Sequence, residues 1–183
     1  MESIQCPKCH HLNPAESDAC LRCGAAFEAT VASDWQPGLV VRDRYRLTRR
    51  IGEGGMGEVW QAVQTGIERD VAIKFMHTEL LRHATAKKRV LQEARAMGRV
   101  DHPNVVRIMD WFETQQTVAL VLDYVAGGSL ADRIEGQGAL PWTDAVELAS
   151  GILAGLAEIH DEGLIHRDMK PDNMLMGTGK RGH

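Results

Sequence analysis

The segment Ile51-Gly-Glu-Gly-Gly-Met-Gly-Glu-Val59 sets glycines at positions 52, 54 and 57 between two runs of strand character, Tyr45 to Ile51 and Glu58 to Gln64. In a dinucleotide fold the last glycine of such a G-x-G-x-x-G run opens a helix. Here Glu58-Val-Trp-Gln-Ala-Val63 reads as a strand, so the glycines form the tip of a hairpin. A second turn at Gly66 leads into Asp70 to Phe75, which makes an antiparallel meander. A helical stretch from about Ala86 to Gly98 follows, rich in Ala, Leu, Met, Arg, Lys and Glu. Val105 to Phe112 and Thr117 to Tyr124 then complete a sheet of about five strands. Beyond Gly127-Gly128, Ser129-Leu-Ala-Asp132 has the pattern of a helix cap. Pro141 opens a long helix whose apolar positions Val146, Ala149, Ile152, Leu153, Leu156 and Ile159 recur every three or four residues and predict a continuous buried face. Strands followed by helices, rather than alternating with them, give an α+β architecture.

The length of 183 residues suits one ordinary domain with a small appendage. A hydrophobic content of 44% and a charged content of 25% predict a real core and argue against disorder. The net charge of -4 offers no basic excess for nucleic acid or an anionic membrane. No run approaches the roughly 20 apolar residues that span a bilayer. The first residues, Met-Glu-Ser-Ile-Gln-Cys, have neither a basic n-region nor an apolar h-region, so a cytoplasmic location is expected.

Cysteine usage marks off a separate module. Cys6-Pro-Lys-Cys9 and Cys20-Leu-Arg-Cys23 are two C-x-x-C pairs ten residues apart. Each pair can set two thiolates on one side of a tight turn, and two facing turns make the tetrahedral sulfur site that zinc prefers. The arrangement resembles the short zinc ribbons at the ends of many bacterial proteins. Two disulfides or unliganded thiols are the alternatives, disfavoured in a reducing compartment. Four cysteines close the coordination sphere, which implies a structural Zn2+ and leaves His10 and His11 facing solvent. A segment of about 25 residues has too little apolar surface to stay folded without the metal. Residues 1–28 are thus read as the ribbon and 29–44, ending its first part in Pro37-Gly38, as a linker. The first 40 residues carry five acids against two bases, so a nucleic-acid-binding ribbon is a weak reading.

In Val71-Ala-Ile-Lys74 a lysine ends an otherwise apolar strand, where a cation is costly unless it meets an anion. Taken alone, Lys74 also reads as a snorkelling surface residue. After the long helix comes His166-Arg-Asp-Met-Lys-Pro-Asp-Asn173. With the glycine loop, the V-A-I-K strand and the H-R-D-x-x-x-x-N loop in that order, the sequence resembles a protein kinase of the bacterial serine/threonine type over about Tyr45 to Leu175. Lys170, two residues after the aspartate, resembles the serine/threonine class rather than tyrosine kinases.

The resemblance implies a protein-kinase-like fold: an antiparallel N-lobe over 45–125 and the start of a helical C-lobe over 126–183. It implies ATP and Mg2+ as cofactors and protein Ser/Thr hydroxyls as acceptors. The glycine loop (Ile51, Gly52, Gly54, Gly57) would cover the phosphates, while Val59 and Ala72 would cover the base. Lys74 would contact the α- and β-phosphates and pair with Glu93 on the first helix. The backbone of Asp123 and Val125 would read adenine, with Leu122 as gatekeeper. Asp168 would accept the hydroxyl proton, Lys170 would steady the γ-phosphate and Asn173 would hold Mg2+. The run Arg42, Arg44, Arg46, Arg49 and Arg50 reads as a solvated strand face, and so does Lys87-Lys88-Arg89. The sequence ends Gly-Thr-Gly-Lys-Arg-Gly-His183, before the place where the resembled family continues with Asp-Phe-Gly. That ending is read as a truncation, a frameshift or a fragment, with little phosphotransfer expected from these residues alone and part of the long helix's apolar face left uncovered. The alternative function is a non-catalytic nucleotide-binding and ribbon interaction module, whose ribbon partner the residues do not name.

Overall fold

The computed structural model describes residues 3–6, 9–14, 20–24, 35–77, 84–114 and 117–177. Residues 29–34 of the expected linker and the basic ending 178–183 lie outside them. The chain divides into two units, residues 1–35 and 36–183.

In the first unit β1 (Ser3–Gln5) pairs antiparallel with β2 (Leu12–Pro14), Ile4 opposite Asn13. The two cysteine pairs adopt the same local turn. The His10 N–H donates to the Cys6 carbonyl at 2.9 Å, and the Gly24 N–H donates to the Cys20 carbonyl at 2.9 Å. The residue after each pair is left-handed, with φ 57° at His10 and 69° at Gly24. Glycine adopts that conformation without strain, whereas a residue with a Cβ does so at some cost. His10 and His11 are both exposed, as expected.

The second unit is built on a six-stranded antiparallel sheet rather than the expected five strands. Its strands are β3 (Val40–Val41), β4 (Tyr45–Gly54), β5 (Gly57–Gln64), β6 (Arg69–Met76), β7 (Ile108–Glu113) and β8 (Val118–Asp123), in the order β3-β4-β5-β6-β8-β7. The extra strand comes from the expected linker. Arg42 and Asp43 both have positive φ, 55° and 53°, and so form a tight hairpin turn that folds Val40–Val41 back onto β4. An Arg-Asp turn carries no glycine or asparagine to announce itself, which is why 36–44 reads as linker in the sequence.

Residues opposite each other on antiparallel strands share a face, and alternate residues along a strand share it too. Val59 lies opposite Lys74, Lys74 opposite Leu120, and Ala72 opposite Leu122, so these five side chains are on one face. Trp60, Ile73 and Val121 are likewise in register on the other face, with Val71 and Phe75 beside them. That second face is fully buried and forms the core, where the Tyr45 and Phe112 rings also stack at 6.0 Å. Burying each such side chain contributes about 1.5–3 kcal/mol. On the first face Val59, Lys74, Leu120 and Leu122 are only half-buried. The sheet therefore presents one closed face and one that awaits cover. The arginines of the basic run are all exposed, as expected.

Helix α1 (Ala84–Met97) lies near the outer strand: its Lys87 ammonium meets the Glu113 carboxylate at 2.5 Å, and the Arg95 guanidinium stands 5.7 Å from the centre of the Trp111 ring. Helix α2 (Leu130–Gln137) begins with the capping box that the sequence predicts. The Ser129 hydroxyl accepts from the Asp132 N–H at 3.1 Å and the Asp132 carboxylate accepts from the Ser129 N–H at 2.7 Å. Helix α3 (Trp142–Asp161) forms where the sequence predicts it, and its apolar stripe is buried in part and uncovered in part, as expected of these residues alone. Ile159 and Gly155 are buried and Ile152 and Leu156 half-buried, but Val146 is 54% and Leu153 65% exposed. Its buried side is set by a close approach at Gly155, where a Cβ would lie 3.0 Å from the Asn104 carbonyl oxygen. Trp142 is likewise 77% exposed.

Candidate functional site

The half-open face of the sheet is the roof of a cleft of about 840 Å³, lined among others by Lys74, Leu120, Leu122, Val125, His166 and Asn173. A volume of that size lies within the range of small-molecule sites. The chain closes the floor of the cleft by a short backbone pairing. The Leu130 N–H donates to the Met174 carbonyl at 2.7 Å and the Met176 N–H to the Gly128 carbonyl at 2.9 Å. Gly127 makes this approach possible, because a Cβ there would sit 1.9 Å from the Met176 carbonyl oxygen. The residues that follow the loop 166–173 are thereby tied to the start of helix α2 at Leu130.

Within that loop the polar residues converge. The Asn173 side-chain amide donates to the Asp168 carbonyl oxygen and to its carboxylate, both at 2.8 Å, and the Lys170 ammonium is 4.0 Å from the same carboxylate. A turn of 3-10 helix, Pro171–Asn173, brings Asn173 back toward Asp168. Arg167 occupies the left-handed region at φ 63°, a costly conformation for a side-chain-bearing residue. All three expected catalytic side chains are exposed to solvent.

Above them, Lys74 is half-buried. Burial pulls its ammonium below the usual lysine range, and the Asp168 carboxylate opposes that shift. No ion pair joins Lys74 to Glu93, which is exposed on α1. The expected Lys74–Glu93 pair is therefore open in this structure. Helix α1 is tied to β7 through Lys87 and Arg95 instead.

The glycine loop continues the ladder of β4 and β5 up to Gly54 opposite Gly57. Only one of its three motif glycines is demanded by the fold itself. A Cβ on Gly57 (φ 149°) would lie 1.9 Å from the Phe75 carbonyl oxygen, whereas a Cβ on Gly52 meets only Val59 at 3.9 Å and one on Gly54 meets nothing within 4 Å. A residue that sequence reasoning missed, His77, fastens the loop. Its N–H donates to the Met56 carbonyl at 3.1 Å, and its ring Nε2 lies 3.0 Å from the Gly54 carbonyl oxygen. Nothing in the sequence marks it, since the contact follows only from the register that ends β6 beside the loop.

At the end of β8 the Asp123 N–H donates to the Arg107 carbonyl at 3.1 Å. Its carboxylate pairs with Arg69 at 2.6 Å and with Arg107 at 3.6 Å. The Arg49 guanidinium donates to the Tyr124 hydroxyl at 3.0 Å. The connecting segment is thus anchored from both sides, and Leu122 and Val125 line the cleft.

These features match a known family over most of the chain: residues 45–181 fit the model of the protein kinase domain. The chain belongs to the protein kinase family. Its relatives include the serine/threonine-protein kinase pkn2 of Myxococcus xanthus, 42% identical over 144 residues, which are 79% of this chain and 17% of that protein. Among solved structures, the Mycobacterium tuberculosis PknI kinase domain superposes with a TM-score of 0.70 at 22% identity, covering 80% of this chain and 59% of that one. Rad53 residues 1–466 in complex with AMP-PNP gives a TM-score of 0.66 at 26% identity, over 73% and 34%. The kinase chain spans about a fifth of the length of the curated relatives it matches. These curated bacterial relatives are named serine/threonine-protein kinases. Family membership carries use of ATP and Mg2+.

The first unit holds a separate cluster. The four sulfurs of Cys6, Cys9, Cys20 and Cys23 lie within 4.8 Å of one another. The Cys6–Cys23 and Cys9–Cys20 separations of 3.6 and 3.5 Å are too long for disulfides. They are close to the spacing of about 3.8 Å that four sulfurs at about 2.3 Å from a tetrahedral zinc require. The clustered thiols shift apart. Burial works to raise the Cys20 thiol, yet the Cys23 and Arg22 N–H groups hold it down at about 6. At Cys9 a His11 backbone bond lowers the thiol, but burial and the neighbouring cysteines outweigh it and push the thiol up to about 12. The donor set thus fits a tetrahedral, thiolate-binding metal. No helix among the described residues is long and apolar enough to cross a membrane.

Proposed function

We propose that residues 45–177 bind Mg-ATP in the cleft and supply one part of the phosphotransfer site of a serine/threonine protein kinase that acts on protein hydroxyls, with little transfer expected from these residues alone. The observation that carries this reading is that Lys74, from the roof, and Asn173, from the floor, line one cleft together with the segment 123–125, while Asn173 holds the Asp168 carboxylate near enough to act on the Lys74 charge. In the proposed roles the open positions above Gly52 and Gly54 admit phosphate oxygens close to the backbone N–H groups. Lys74 meets the α- and β-phosphates, where the anion offsets the cost of its burial. Val59 and Ala72 cover the base, and the carbonyl of Asp123 and the N–H of Val125 pair with adenine. Asp168 accepts the proton of the acceptor hydroxyl, Lys170 steadies the γ-phosphate and Asn173 turns its side-chain oxygen to Mg2+. Glu93 completes the site by pairing with Lys74 after a shift of α1.

A second reading, a nucleotide-binding module without transfer, is favoured by the open Lys74–Glu93 pair. One assay separates the two. Transfer of labelled phosphate from Mg-ATP to a generic basic protein that disappears in Asp168→Asn supports the kinase reading. ATP binding with no transfer above the Asp168→Asn background shows that these residues act alone as a nucleotide-binding module, the outcome expected of them without the rest of a kinase domain.

In the first unit we propose a structural zinc held by Cys6, Cys9, Cys20 and Cys23, within a ribbon that docks a protein partner. A cytoplasmic setting accords with thiols in this cluster that are not joined as disulfides.

A further inference from the structure

Asn13 is a buried polar side chain of the first unit, 1% exposed, and it lies beside the cysteine cluster at the Cys20 sulfur. A buried amide must satisfy both its donors and its acceptor, and Asn13 does so across the two cysteine turns. Its Oδ1 accepts from the Leu21 N–H at 2.8 Å. A backbone N–H can only donate, so this contact fixes which end of the amide is oxygen. The Nδ2 group then faces the His11 carbonyl at 2.8 Å and the Cys20 sulfur at 3.8 Å. One side chain on β2 thus joins the end of the first cysteine turn to the start of the second, and it aims an N–H at a ligand sulfur.

We infer that Asn13 is a positioning residue of the metal site: it sets the spacing between the two cysteine turns and donates to the Cys20 thiolate in the metal-bound form. This rests on the zinc reading above. A thiolate that receives an N–H bond carries less donor charge toward the metal, and four thiolates on one divalent ion leave a net charge of -2 that such donors disperse. Ligand partners of this kind typically alter metal affinity by about 10–100-fold. The second donor on the same sulfur, the Arg22 N–H at 3.4 Å, belongs to the backbone and survives any change at residue 13.

The test uses the full chain loaded with cobalt(II), which reports tetrahedral thiolate ligation by its visible ligand-field bands and its near-ultraviolet sulfur-to-cobalt band; zinc affinity is read by competition. The wild-type chain is expected to bind one ion. Asn13→Ala should bind about 10–100-fold more weakly, and its sulfur-to-cobalt band should move to lower energy, because the unbonded Cys20 thiolate gives up electron density more readily. Asn13→Asp keeps an acceptor for the Leu21 N–H but has no N–H of its own, so it should show the same band shift even if Asn13→Ala fails to fold. Weaker binding with an unmoved band in both variants would mean a purely structural side chain and overturn the donor role. Unchanged affinity and spectrum, beside normal uptake by the wild type, would overturn the inference and leave the zinc reading standing. No uptake by the wild type would overturn both.

Discussion

At the scale of single residues the account turns on Lys74. The sequence makes it legible, because a cation closing an apolar strand is anomalous and the family pattern assigns it a partner. The structure adds that the partner is not Glu93 here: α1 is held by Lys87 and Arg95 on β7, a packing that helix composition does not encode. His77 and Asn13 were illegible for a similar reason, since each acts through contacts that exist only once strands are in register. Without nucleotide, burial lowers the Lys74 pKa from 10.5, opposed by Asp168. Between the lowered value and 10.5 the unfolded chain binds more protons than the folded one, so wild-type stability rises with pH across that window. Lys74→Met lacks the effect. Denaturant titrations are expected to show wild-type stability gaining on that of Lys74→Met as pH climbs toward 10.5, whereas a difference independent of pH would contradict the burial argument.

At the scale of elements the meander, α1 and the capped α2 were readable from periodicity and end signals, and they fall within a few residues of their expected bounds. The long helix α3 was readable too, with the partly uncovered apolar stripe expected of it. One element was not: strand β3 escaped because its turn is made by Arg42 and Asp43. The cap of α2 also supports the floor of the site, because Ser129 bridges to Leu175 just beyond the catalytic loop. Ser129→Ala is expected to cost about 1 kcal/mol. The Ser129 N–H and hydroxyl bonds hold the Asp132 carboxyl below 3.8, so its contribution is present above that pH and is lost as pH falls through the lowered value. Chemical denaturation of wild type and Ser129→Ala at neutral and acidic pH checks both points: the difference should shrink in acid.

At the scale of the whole molecule, the two units are held by different physics. Residues 36–177 close a hydrophobic core around Trp60, Ile73, Phe75 and Val121. The described residues of the first unit form two three-residue strands and a cluster of sulfurs, far too little apolar surface to offset the chain entropy of ordering them. A strong chelator is therefore expected to abolish hydrogen-exchange protection in residues 3–24 while protection in β5, β6 and β8 persists. Retained protection of the cysteine turns after metal removal would contradict the metal-dependent folding of that unit.

The cleft between roof and floor is the central claim, and it predicts how binding energy is divided between the two ends of the ligand. In the proposed arrangement adenosine would meet only the segment 123–125 and the apolar roof, while ATP would add phosphates that meet Lys74 and the glycine loop. Calorimetry of Mg-ATP and of adenosine on the wild-type chain and on Lys74→Met measures that division directly. The account predicts ATP affinity reduced about 10-fold or more by the substitution, in line with a lost charge-assisted contact of about 1.5–3 kcal/mol, and adenosine affinity unchanged. An equal loss for both ligands, or none for ATP, would show that Lys74 does not face the phosphates.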